Sequence, residues 1–84
     1  MDNTKYNKEE LCETVTFTLT VGETLSLYKK LAVAIKGKER EILRMKHKGA
    51  APHLIEFTRA ARQRFIDLQG KIEAVLAEFD ERAA

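Results

Sequence analysis

The constraint that narrows the fold most is one seven-residue rhythm of apolar residues running on both sides of a glycine–proline break. The break is "HKGAAPH", His47 to His53. Downstream of it, Leu54, Thr58, Ala61, Phe65, Leu68, Ile72, Val75 and Phe79 recur at alternating steps of four and three. Upstream, Phe17, Val21, Thr24, Tyr28, Leu31, Ile35, Lys38, Ile42 and Met45 keep the same steps. Such steps place side chains on one face of an α-helix, and a seam of this length calls for a partner helix. Gly49 suits the left-handed residue that ends a helix, and Pro52 suits the first turn of the next. Lys46 and Lys48 complement the negative end of the first helix dipole. The two seams therefore face each other in a long antiparallel hairpin. Ile42 meets Thr58 and Ala61, Ile35 meets Phe65, Leu31 meets Leu68, Tyr28 meets Ile72, Thr24 meets Val75 and Val21 meets Phe79.

This reading predicts an all-α chain with a first helix over about 7–48, a turn over 49–52 and a second helix over about 52–82. Asn7 is a good N-cap, with Glu10 three residues on as in a capping box. Tyr6 and Leu11 hold the positions of a hydrophobic staple. At ~1.5 Å per residue the first helix would reach ~60 Å and the second ~45 Å, leaving the first to overhang. Gly70 lies inside the second helix, where a glycine costs roughly 1 kcal/mol relative to alanine and usually marks close packing.

One stretch reads two ways. In "ETVTFTLTVGE", Glu13 to Glu23, threonines alternate with apolar residues as in a half-buried strand. The upstream seam nevertheless crosses it without slipping, and no glycine or proline stands between Asn7 and Gly22. Four β-branched threonines oppose a helix by at most ~3 kcal/mol, which buried seam residues can offset at ~1.5–3 kcal/mol each. The preferred expectation is helix, with a bend allowed near Gly22. The alternative is an N-terminal strand followed by helices.

A chain of 84 residues forms a single domain. It buries only ~60–65% of its unfolded surface, so a monomer would be marginally stable. Cys12 is the one cysteine, so no disulfide can help, and it is expected to be a small buried apolar residue. The opening "MDNTKYNKEE" lacks the apolar centre of a secretory leader, and no apolar run approaches the ~18 residues of a membrane span. A cytoplasmic protein that does not enter membranes is expected.

A hairpin leaves a second apolar stripe uncovered: Leu11, Val15, Leu19, Leu25 and Ala32 upstream, with Ile55, Ile66 and Leu76 downstream. Self-association buries such stripes, and a homodimer forming a four-helix bundle is the simplest solution. The expected self-association residues are Leu11, Val15, Leu19, Leu25, Ile55, Ile66 and Leu76. Lys38, on the seam, either snorkels outward or selects register.

Charge is split along the rod. From Lys29 to Arg64 there are eleven basic residues against three acidic ones, a net +8, while the rest of the chain has four against ten, a net −6. The turn end is thus basic and the end holding both termini acidic. A concentrated basic region is the footprint of an acidic or phosphate-bearing partner, as well as a way to keep a helix face solvated. The candidate partner-binding residues are Lys36, Arg40, Arg44, Lys48, Arg59 and Arg62. The basic end could equally dock on the acidic end of a neighbouring copy.

Motifs of catalysis are missing. The four glycines are scattered, so no phosphate loop forms. His47, His53 and the distant Cys12 do not have metal-site spacing. Ser26 has no placed histidine–acid pair, and carboxylates on exposed helix faces are not expected to be tuned for acid–base work. No catalytic, cofactor-binding or metal-binding residue is assigned.

Read as a strand, "TFTLTVGETLSLYKKLAVAIKGKEREIL" resembles the start of a ribbon-helix-helix repressor. That resemblance implies a DNA-reading ribbon with Thr14, Thr16, Thr18 and Thr20 outward. It also implies a turn at Gly37 before a second helix starting near Glu39. It covers about thirty residues, and the preceding "KEELCE" is acidic where such proteins tend to be basic.

The expectation is a non-enzymatic, small oligomeric helical protein, an adaptor, inhibitor or regulator of the size common among accessory proteins of bacteria or their phages. It would bind a macromolecule, an acidic protein or a nucleic acid, through its basic hairpin end. Its alternatives are a DNA-binding repressor and, more remotely, an oligomer holding a small anionic ligand.

Overall fold

The computed structural model describes residues 5–83. Among them are three helices: α1 (Lys8–Leu11), α2 (Val21–His47) and α3 (Pro52–Ala83). Among the described residues none forms a strand, and the architecture is the expected all-α antiparallel hairpin, built by α2 packing on α3.

The turn follows from its residues. Gly49 takes φ +70°. Its amide donates to the Lys46 carbonyl at 3.2 Å, and the Ala50 amide donates to that of Met45 at 2.9 Å. These two bonds make a Schellman ending, which satisfies carbonyls the helix leaves open. Pro52, with no amide hydrogen to lose, opens α3 at once.

The hairpin register is the one the seams specify. Among the described residues the buried set is Leu31, Ile35, Ile42, Ile72 and Thr58, all seam positions. Across the helices, the Tyr28 hydroxyl donates to Glu73 Oε1 at 2.7 Å and Arg62 Nη2 to Glu39 Oε1 at 2.9 Å. Thr58 donates to the Leu54 carbonyl at 3.1 Å with Met45 Sδ 3.5 Å away, so its hydroxyl is satisfied in the core. Lys38 leaves the seam as a snorkelling residue does: its Nζ lies 3.3 Å from Glu41 Oε2.

The first helix does not run from Asn7. Asn7 caps as expected, accepting from the Glu10 amide at 2.8 Å, but α1 ends after one turn at Cys12. Residues 13–20 are neither helix nor strand, and α2 starts anew at Val21. The cause is a stronger start signal downstream. Thr20 Oγ1 accepts from the Glu23 amide at 3.0 Å, and Glu23 Oε1 accepts from the Thr20 amide at 2.9 Å. This complete capping box fixes Thr20 in an extended conformation. The offsetting burial is also missing, since Phe17 stays 69% exposed.

Three further expectations change. At ~1.5 Å per residue α2 is ~40 Å long and α3 ~48 Å, so the second helix is the longer. Cys12 is an exposed free thiol, not a buried apolar residue. Gly70 is not explained by close packing, because a methyl group there would meet nothing within 4 Å. The ribbon-helix-helix pattern also departs at Gly37, which sits inside an unbroken α2 where that fold requires a turn.

Candidate functional site

The basic residues of the hairpin end divide into two sets. Arg59 and Arg62 lie on α3 beside a groove of about 430 Å³ whose lining includes Ile42, Leu43 and Lys46. Both are already engaged: Arg59 Nη1 is 3.0 Å from Glu56 Oε1, and Arg62 pairs with Glu39 across the hairpin. Lys36, Arg40 and Arg44 lie on α2 and Lys48 caps its C-terminal end; all four are exposed and form no ion pair among the described residues. The six residues expected to act together are therefore a paired couple on α3 and a row of four along α2 and its C-cap.

The direction of that row comes from helix geometry. At about 100° per residue, Leu31, Ile35 and Ile42 define the side of α2 that meets α3. Lys36, Arg40, Arg44 and Lys48 fall in an arc of about 120° centred on the opposite side. Lys29 and Lys30 fall in the same arc, as do Gly22, Ser26, Val33, Gly37 and His47. No acidic residue does. Glu23, Glu39 and Glu41 all lie outside it, so this face carries one sign of charge over ~28 Å between Lys29 and Lys48. The four-residue steps of Lys36, Arg40, Arg44 and Lys48 are legible in the sequence, but which side of α2 they occupy is fixed by the buried Leu31, Ile35 and Ile42.

The acidic end is built differently. Phe17, Thr18 and Leu19 cross a second groove of about 400 Å³ against Thr24, Leu27, Leu68, Ile72 and Val75. Leu27 and Leu43 are about 160° apart around α2, so the two grooves lie on different flanks of the hairpin. Two side chains there have shifted acidities. The hydrogen bonds with Thr20 hold the Glu23 carboxyl below its usual value. Donation to the Glu73 carboxylate raises the Tyr28 hydroxyl. Both are helix-start or cross-helix fasteners on the surface.

Of the seven expected self-association residues, Leu11, Val15, Leu19 and Leu25 are exposed and Ile55, Ile66 and Leu76 half-buried. They do not form one continuous stripe. Leu25 shares a face of α2 with Leu43, about 0° apart after five full turns. Leu11 ends the one-turn α1, and Val15 and Leu19 belong to the non-helical lead-in, all three outside that face. The exposed Leu43, Phe57 and Val33 are apolar surface that the sequence pattern did not single out.

Among the described residues no group of three or more histidine, cysteine or acidic side chains is placed to hold a metal ion, and no helix is long and apolar enough to cross a membrane. Comparison with protein-family models, curated proteins and solved structures finds no match to this chain.

Proposed function

We propose that this chain is a non-enzymatic, self-associating helical adaptor or regulator that binds an acidic macromolecule through the basic end of its hairpin. The observation that carries the reading is the free, single-signed row Lys36, Arg40, Arg44 and Lys48 on a rigid helix. Four long cations held apart by a helix on an outward face concentrate positive potential, which raises association with polyanions.

Self-association is supported by the surface. A compact monomer of 9.6 kDa exposes about 5,100 Å². This chain exposes 7282 Å². The difference, about 2,200 Å², comes from the elongated hairpin and its exposed lead-in as well as from the uncovered flank, and it leaves room for the ~800 Å² that one partner contributes to a standard interface. Leu25, Leu43, Ile55 and Ile66, along one flank, are the side chains a second copy would cover.

Two measurements test the reading. Multi-angle light scattering should give a mass of at least two chains at micromolar concentration; a single-chain mass would remove the self-association. Binding to a labelled polyanion at low salt should weaken when Lys36, Arg40, Arg44 and Lys48 are changed together to Gln. Polyanion binding that ignores those changes would remove the basic end as the site.

A further inference from the structure

We infer that the outward face of α2 is a docking face for the phosphate backbone of double-stranded DNA. This rests on the proposed polyanion-binding role of the basic end and specifies its partner. Two observations favour DNA over an acidic protein, and a third leaves room for its close approach.

The first is the purity of the face. Protein interfaces are built around apolar and aromatic anchors with charge at the rim. This arc has Val33 as its sole large apolar side chain and no aromatic one. The absence of aromatics also argues against single strands, whose bases stack on such rings.

The second is spacing. Lys36, Arg40, Arg44 and Lys48 follow one another at four-residue steps, about 6 Å of rise each, so their charges form a continuous rail. A helix of ~10–12 Å diameter fits the ~12 Å major groove of B-form DNA, where phosphates line both walls. An arc as wide as ~120° can then address both walls at once. The deep, narrow major groove of A-form RNA does not admit a helix in this way.

The third is Gly37, next to Lys36 at the start of the rail. A glycine inside a 27-residue helix is unfavourable, and no packing accounts for it, since a methyl group there would meet nothing within 4 Å. Exposed between Lys36 and Lys38, it lets another backbone come close.

The test is fluorescence anisotropy of the full chain against a labelled duplex DNA across about 50–200 mM salt. Lys29, Lys30, Lys36, Arg40, Arg44 and Lys48 are six candidate phosphate contacts, so log K should fall against log salt with a slope near −5. The Arg40→Gln, Arg44→Gln double variant should make that slope shallower by about 2, with unchanged circular dichroism. The Arg59→Gln, Arg62→Gln pair, off the rail and already ion-paired, should leave it unchanged. Gly37→Gln should weaken DNA binding without lowering helix content. Duplex RNA of the same length, and polyglutamate of the same charge number, should bind at least tenfold more weakly than DNA.

Polyglutamate binding as tight as DNA would overturn the DNA assignment while leaving an acidic-protein partner in place. Equal binding of duplex RNA would overturn the groove fit. An unaltered slope in the Arg40, Arg44 variant, or undiminished DNA binding in the Gly37 variant, would overturn the docking face. No binding to any of the three polyanions would overturn both this inference and the reading beneath it.

Discussion

Thr20 and Glu23 decide where the hairpin begins. Their reciprocal hydrogen bonds, 3.0 and 2.9 Å, give the first turn of α2 partners that the β-branched residues before it do not supply. Thr20→Ala should destabilise the fold by about 1 kcal/mol, read as a lower urea midpoint, and Thr20→Ser should restore it. The pH dependence has a definite sign. Folding lowers the Glu23 pKa, so its stabilisation is present above the ordinary carboxylate value of 4.5 and is lost as pH falls through the folded value. Tyr28 behaves oppositely. Its raised pKa makes the hydrogen bond to Glu73 fully available below its ordinary value of 10.0, and lost as pH climbs through the folded value. Stability measured from pH 3 to pH 11 should decline at both extremes. Tyr28→Phe should remove the part of the alkaline decline that belongs to this hydroxyl.

At the level of elements, the hairpin was legible because two independent signals agreed. The seam told which face of each helix is buried, and Gly49 with Pro52 told where the chain reverses. All five buried residues among those described belong to that seam. The start of α2 was not read, although its signal was present: Thr20-Val21-Gly22-Glu23 is a threonine followed three residues later by glutamate, the capping pattern itself. A seam that runs on through Phe17 masked it, because periodicity reports a permitted face and not whether a partner exists to bury it. The Glu56–Arg59 pair, at i,i+3 on one helix, was within reach of the sequence, whereas the Glu39–Arg62 pair was not, since it is made across the hairpin. The glycines allow a direct check. Gly37→Ala and Gly70→Ala place a methyl group in open space, and each should raise stability by about 1 kcal/mol in chemical denaturation. Gly49→Ala should do the reverse, because its φ of +70° is strained for any residue with a side chain.

For the whole molecule, charge governs how two hairpins can lie together if one flank of each is covered by the other. Stacked with their turns at the same end, the two copies would set a net +8 region against another +8. Stacked with turns at opposite ends, each +8 region faces the −6 remainder of its neighbour. Opposite charges at these separations attract most at low ionic strength, where the Debye length is ~30 Å at 0.01 M against ~8 Å at 0.15 M. The proposed dimer should therefore be antiparallel, and it should tighten as salt is lowered. Cys12 reports the arrangement without any mutation, because it is an exposed thiol belonging to the lead-in before α2. In the antiparallel dimer the two Cys12 thiols sit at opposite poles of the bundle. Mild oxidation should leave the chains uncrosslinked, and spin labels on Cys12 should give a separation of several nanometres. Efficient Cys12–Cys12 crosslinking within a salt-stabilised dimer would instead place the two acidic ends side by side, and hydrophobic burial along the flank would then have outweighed the charge.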